Sequence, residues 1–298
     1  MKLTYYNETP SNFGDELNAW MWPQLLPDGF LDGDPSDIFL GIGSILWNDF
    51  PATSIKHVMG SGYGSYTAAP DVSGRDWNVV WLRGPVTAKM VNADPSLAIT
   101  DSAVLIRETR LPDPQPNIDI AFMPHFQSIG RGKWEAVCAA AGITFLDPRE
   151  DPVSLIAKIR GANLVITEAM HGAIVSDALR TPWIGIQPFS ARHRPKWKDW
   201  AQSLDVDLRW AEVAPSSLCE AYTRYIGREG TGMRTKLAFD GWHARPINSA
   251  MVHLAARQLQ DLADGFEPQL SADAQIKTAT SRCMEALHGF TERRSAAA

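Results

Sequence analysis

Short apolar runs alternate along this chain with stretches whose apolar residues recur at helical spacing, an order that predicts β-α-β units and parallel sheets. Lys2–Tyr6 predicts a first strand, followed by a loop over Asn7–Gly14 and a helix over Asp15–Leu25. Asp37–Gly43, Lys56–Gly60 and Asn78–Leu82 predict three further strands, the first two ending in glycines. Arg83-Gly84-Pro85 then opens a helix over Val86–Asn92, with Pro85 in the first turn, where its missing N–H is harmless. Ala98–Thr100 predicts a short fifth strand.

The pattern breaks at Leu111-Pro112-Asp113-Pro114-Gln115-Pro116. Prolines at alternate positions continue neither a helix nor a central strand, so a linker between domains is expected here. Beyond it the alternation restarts. Strands are predicted over Ile118–Met123, Thr144–Leu146, Leu164–Thr167 and Trp183–Ile186. Helices are predicted over Lys133–Ala141 (closed by Gly142), Pro152–Arg160 and His171–Leu179, with another beginning at Lys198–Leu204. From Ser216 onward the pattern is mostly helical, over Ser217–Ile226, Asn248–Leu262 and Ala272–His288. The fold class expected is therefore α/β. Two Rossmann-like domains, 1–112 and 117–245, face a cleft, and C-terminal helices follow over 246–298. There is no short-period repeat, and low complexity is confined to Ala296–Ala298.

Composition adds limits. The 298 residues are 45% hydrophobic and 21% charged, ordinary globular usage that allows a core of normal size. A formal charge of -6 argues against nonspecific attraction to nucleic acid or anionic lipid, though not against a local basic cleft. Cys138, Cys219 and Cys283 are scattered and lack metal-ligand spacing, which suits a reducing cytoplasm and predicts no metal site. Met1–Tyr6 has no basic leader, and no run reaches the ~18 apolar residues of a membrane span. Trp20 and Trp22, Trp77 and Trp81, and Trp197 and Trp200 lie close in sequence. Saccharide sites use aromatic faces and cores bury them, so both readings stay open.

In open parallel sheets ligands bind beyond the carboxyl ends of the strands, so the loops that follow strands hold the candidate chemistry. Leu164–Thr167 turns abruptly into a helix through Glu168, Ala169, Met170, His171 and Gly172. Amides at a new helix N-terminus favour an anion, and an imidazole there can bond a carboxylate or phosphate and exchange a proton. A histidine satisfied by a backbone carbonyl is the structural alternative. Arg83 takes the same position in the first half, either as a fork for a carboxylate or phosphate or as a domain-interface salt bridge. Asn12-Phe13-Gly14-Asp15 follows the first strand. Asp15 can cap the next helix, accept a sugar hydroxyl or act as a base. His125 follows Ile118–Met123 through Pro124. Arg192, Arg194 and Lys196 lie in the most basic stretch, Ser190–Lys198, which is either a solvated face or an anion clamp. The glycine loops Gly41-Ile42-Gly43 and Gly60-Ser61-Gly62-Tyr63-Gly64 do not form a dinucleotide fingerprint, and no P-loop, HExxH or GxSxG occurs.

Six segments, in order, resemble the polysaccharide pyruvyl transferase family, and within it the enzymes that pyruvylate succinoglycan-type exopolysaccharide. They are Asn12–Leu17, Gly41–Leu46, Gly60–Gly64, Val80–Pro85, Asp101–Leu105 and Thr167–Gly172, spread over about residues 2–205. The resemblance implies a fold like that of GT-B glycosyltransferases and phosphoenolpyruvate as the pyruvyl donor, a substrate, with no cofactor. It implies donor contacts from the turn that holds Met170, His171 and Gly172. The Arg-Leu-His-Gly of many members is here preceded and replaced by Glu168-Ala169-Met170-His171-Gly172: the histidine carries over and the arginine does not. Arg83, Arg192, Arg194 and Lys196 are left to supply cationic charge, with Asn12 and His125 as further binding residues. His171, Asp15 and Glu168 are the acid–base candidates. The expected partners are phosphoenolpyruvate and a lipid-linked oligosaccharide or polysaccharide acceptor, without nucleic acid. The expected location is the cytoplasm, with loose peripheral attachment to the inner face of the membrane. A nucleotide-sugar glycosyltransferase and a noncatalytic saccharide-binding partner are the alternative readings.

Overall fold

Runs of four to six apolar residues bounded by glycine or polar caps are too short for buried helices, and they pair as parallel strands. The structure, a computed structural model, describes residues 1–7, 9, 11–227 and 233–297; Glu8 and Pro10 of the expected first loop and the terminal Ala298 lie outside the described residues. The chain forms two compact units. Met1–Pro112, Pro195–Leu208 and Ser271–Ala298 make the first, and Asp113–Arg194 with Arg209–Leu270 make the second. The chain leaves the first unit inside the proline-rich run. The expected segment 246–298 is divided: the helix Arg245–Gly265 belongs to the second unit and the helix Asp273–Ala297 to the first.

In the first unit, β1 (Lys2–Thr4), β2 (Asp37–Leu40), β3 (Ile55–Met59) and β4 (Trp77–Trp81) form a parallel sheet in sequential order. No helix separates β2 from β3 or β3 from β4, so this half departs from the expected alternation of strand and helix. The expected strand Ala98–Thr100 is reduced to one parallel bridge between Ala98 and Leu82. It is squeezed between two 3₁₀ segments, Pro95–Leu97 capped by Asp94 and Ser102–Glu108 capped by Asp101. The helix Phe13–Leu25 starts before Asp15 because Asn12 caps it, accepting the Asp15 N–H at 3.2 Å, a bond worth about 1 kcal/mol. Ile38, Leu40, Val58, Leu82, Ala88 and Val91 lie in the core, and the helix Asp273–Ala297 packs on β4 and on Ser102–Glu108.

In the second unit, β5 (Ile118–Met123), β6 (Thr144–Phe145), β7 (Ala162–Thr167), β8 (Trp183–Ile186) and β9 (Trp210–Ala211) form a parallel sheet in the order β6-β5-β7-β8-β9. The chain goes to one side of β5 and then to the other, so a topological switch point lies between β5 and β7. The helix Trp134–Ala141 closes at Gly142, whose φ of 67° is the left-handed cap. Asp151 caps the helix Pro152–Gly161 by accepting the Ser154 N–H at 3.0 Å. A Cβ on Gly161 would lie 1.8 Å from the Gln115 carbonyl oxygen, so the glycine lets the linker lie against that helix end. The helix Arg245–Gly265 packs on Trp134–Ala141 and on β7. The sequence pattern missed β9 because two residues carry no period, and it missed the helices Phe126–Ile129 and Met233–Asp240. Trp22, Trp81, Trp134, Trp183, Trp197 and Trp200 are all buried, so most of the tryptophans serve packing.

Candidate functional site

The switch point of the second unit is where its chemistry gathers. From β5 the chain runs through Pro124 into His125, and from β7 through Glu168 into the helix Met170–Leu179. His171 is half-buried in the first turn of that helix. Its N-cap is Ala169, and no side chain caps the helix start. The first amides of this helix are thus without a side-chain cap at the end that carries roughly half a positive charge.

Glu168, beside it, is 2% exposed. Its Oε2 accepts from the His125 N–H at 3.0 Å and the Ser128 hydroxyl at 2.7 Å, and its Oε1 accepts from the Phe189 N–H at 3.1 Å. One carboxylate therefore ties the loops that follow β5, β7 and β8. A carboxylate holding three donors acts as a clamp on the backbone. Gly172 and Met170 seat the helix in a similar way. A Cβ at Gly172 would lie 2.4 Å from Thr167 Oγ1 and 3.1 Å from the Met123 sulfur, and Met170 is buried.

His125 caps the short helix Phe126–Ile129: its Nδ1 accepts the Gln127 N–H at 3.3 Å, which puts the ring proton on Nε2. The His193 ring, from the 3₁₀ turn after β8, stacks on it with centroids 4.3 Å apart and planes 24° from parallel. His193 Nε2 lies 3.1 Å from Gln127 Oε1. His193 and Gln127 were not among the sequence candidates; the one signal was that His193 sits in the basic run after a strand. In that run Arg192 is exposed, and Arg194 is half-buried with Nη2 3.4 Å from the Pro188 carbonyl. Glu220 is a further buried acid. It accepts from Trp134 Nε1 at 2.5 Å and from the Ser216 N–H and hydroxyl at 2.8 and 2.6 Å. Burial, and then the nearby Glu168 charge, push its carboxyl up to about 7.

The first unit holds a second group of expected residues at the carboxyl ends of its strands. Asn12 Nδ2 donates to Asp15 Oδ2 at 2.5 Å, so Asn12 both caps the helix and orients the carboxylate. Gly43, with φ of 132°, passes close to that carboxylate: a Cβ there would lie 3.2 Å from Asp15 Oδ1. Asn18, unremarked in the sequence, locks this arrangement. Its amide bonds both the N–H and the carbonyl of Ile42 and accepts from Trp22 Nε1. Lys196 is half-buried nearby. Desolvation first, and then the Arg83 cation, lower its ammonium to about 8 against the opposing pull of Asp15 and Asp101.

Arg83 does not present itself to a ligand. It is fully buried, and its nitrogens are spent within this unit: Nε on Asp199 Oδ2 at 3.0 Å, Nη1 on the Ser44 hydroxyl at 2.7 Å, and Nη2 on the Tyr63 carbonyl at 3.1 Å. Asp199 also accepts from the Thr87 N–H at 2.9 Å and the Thr87 hydroxyl at 2.5 Å. The expected anion fork is therefore an internal brace. Gly62 leaves room for it, since a Cβ there would fall 2.0 Å from the guanidinium carbon.

A parallel sheet whose switch-point loops carry two histidines, a clamping carboxylate and an uncapped helix start is an arrangement that can hold an anion, and the sequence comparisons give the family. The profile of the family described as polysaccharide pyruvyl transferase matches residues 75–188, a span that holds His125, Glu168 and His171. The chain is 39% identical over 226 residues to the succinoglycan biosynthesis protein ExoV of Rhizobium meliloti (strain 1021), covering 74% of this chain and 70% of that protein. The chain belongs to the polysaccharide pyruvyl transferase family. No solved structure matches it.

Proposed function

We propose that the protein transfers the pyruvyl group of phosphoenolpyruvate to two hydroxyls of a sugar in an exopolysaccharide repeat unit, forming a pyruvate ketal and releasing phosphate. The observation that carries this reading is His171 in the uncapped first turn of a helix at the switch point of the second sheet. A helix start suits a phosphate or carboxylate, and an imidazole there is placed to pass a proton to a bound substrate. His125, Arg192 and Arg194, with the stacked His193, supply further donors on the loops after β5 and β8, in place of the arginine that many family members carry before the histidine.

The chemistry is an addition followed by an elimination. The His171 imidazolium gives its proton to the methylene carbon of phosphoenolpyruvate, leaving an oxocarbenium-like centre at the adjacent carbon. A sugar hydroxyl oxygen attacks that centre and loses its proton to a base. The carbon–oxygen bond to phosphate breaks, phosphate leaves with the bonding pair, and a second hydroxyl closes the ketal as its proton is taken up. In the first unit Asp15 is oriented by Asn12, with Lys196 near it. Glu168 is assigned to positioning, since its oxygens already hold His125, Ser128 and Phe189. The acceptor is a lipid-linked oligosaccharide or a polysaccharide presented at the cytoplasmic face.

The test is phosphate release from phosphoenolpyruvate with and without a succinoglycan-type acceptor. Release should depend on acceptor, and His171→Ala should lower kcat by about 10²–10⁴-fold, the usual contribution of an acid–base group. Wild-type turnover in that variant, or release by no plausible acceptor from folded protein, would end the assignment.

A further inference from the structure

Five apolar side chains on one helical cluster of the second unit stand in solvent: Trp242 is 81% exposed, Tyr225 73%, Leu237 69%, Ile226 59% and Ile247 51%. Among the described residues the other exposed large apolar side chains outside this cluster, Ile55, Tyr66, Met90 and Leu270, are scattered along the chain and each less than half exposed. Single exposed residues are ordinary; a local concentration that includes a nearly bare tryptophan is not. The cluster is built, not loose. Asn248 Oδ1 accepts the Leu218 N–H at 2.9 Å and its Nδ2 donates to the Phe239 carbonyl at 2.8 Å. One amide thus joins the helices Leu218–Ile226, Met233–Asp240 and Arg245–Gly265, and His243 Nε2 lies 2.8 Å from the Ala238 carbonyl. On the last helix Ile247, Ala250 and Leu254 follow at helical spacing along its exposed side, opposite the buried Asn248, Ala255 and Leu259.

Charge says what fits this surface. The chain as a whole is acidic, at -6, yet over residues 233–257 it carries Arg234, Lys236, Arg245 and Arg257 against Asp240, before Asp261 and Asp264 at the far end of the last helix. Asp240 is itself paired with Lys133 at 2.8 Å, while Arg245 and Arg257 are exposed. Exposed tryptophan, tyrosine and aliphatic side chains beside the exposed cations Arg245 and Arg257 suit a surface that lies on an anionic bilayer, with rings at the headgroup level and cations over the phosphates.

We propose that this cluster, centred on Trp242, is a docking surface for an anionic phospholipid membrane. Its purpose rests on the lipid-linked acceptor proposed above; its test does not. The full chain should sediment with vesicles of phosphatidylglycerol mixed with phosphatidylcholine, more weakly with phosphatidylcholine alone, and less as salt is raised. Trp242→Ala combined with Leu237→Ala should reduce binding about tenfold or more, as burial of two large apolar groups is lost. Arg245→Glu should weaken binding to the charged vesicles only, and an acidic group in a first helical turn leaves the fold intact. Phosphate release with a soluble acceptor should be unchanged in these variants, so loss of that activity in the wild type would count against the transferase reading and not against this one. No partition onto charged vesicles, or equal partition by the double variant, would overturn the proposal. So would a dimer in vesicle-free solution that Trp242→Ala dissolves, which would assign the surface to a second copy of the chain.

Discussion

Replacing Arg83 by methionine separates its two possible roles. The side chain is fully enclosed, and its partner Asp199 is 2% exposed. Removing the guanidinium leaves a buried carboxylate with only the Thr87 N–H and hydroxyl, and strips Ser44 and Tyr63 of their donors. Breaking one side of such a buried pair costs about 3–5 kcal/mol. Against a total stability of about 5–15 kcal/mol, that is a large fraction. In a unit of roughly 150 residues it corresponds to a fall in Tm on the order of 10 °C. Adding Asp199→Leu removes the stranded charge, so the double variant should recover part of the loss, with a coupling of about 0.5–3 kcal/mol. Thermal melts and phosphoenolpyruvate titrations on the same samples read both quantities. An Arg83→Met protein that melts like the wild type but no longer binds phosphoenolpyruvate would refute the brace and return Arg83 to the ligand.

Two pH dependences follow from the buried charges. The Lys196 ammonium is lowered to about 8 from an ordinary 10.5, so between these values the unfolded chain holds more protons and stability rises with pH. Lys196→Met should accordingly be more stable than the wild type at pH 7, by up to about 3 kcal/mol, with the gap closing above pH 8; urea melts from pH 7 to 9.5 showing a constant gap would disprove it. Glu220 has the opposite sign. Its carboxyl is raised from 4.5 to about 7, so the folded state holds the extra proton and wild-type stability falls as pH rises through that window, by up to about 3 kcal/mol. Glu220→Gln should lack this fall, and parallel curves for the two proteins from pH 4.5 to 7.5 would sink the assignment.

The candidate site was partly legible in the chain. His171 could be placed because a strand running straight into a helix announces itself by a change of period, and His125 because it follows an apolar run. The stacked His193 ring and Gln127 could not, since they meet only when β8 is laid beside β7 and β7 beside β5. Glu168 was visible, but its role was not: the three donors that occupy it come from loops 21 to 43 positions away. For Arg83 the sequence left fork and salt bridge open for the same reason, because Asp199 lies 116 positions further along the chain.

What the sequence determined by itself is what local physics controls. Hydrophobic period located most of the strands and helices, prolines marked the linker, and Gly142 ended its helix where it was expected. Tertiary structure alone decided the strand order, and with it the switch point in the second sheet and its absence from the first. It also decided which polar groups were used up on one another. A side chain's period is set by its neighbours within a few residues, whereas its hydrogen-bond partners are set by whatever the fold brings against it, and no local pattern carries that information.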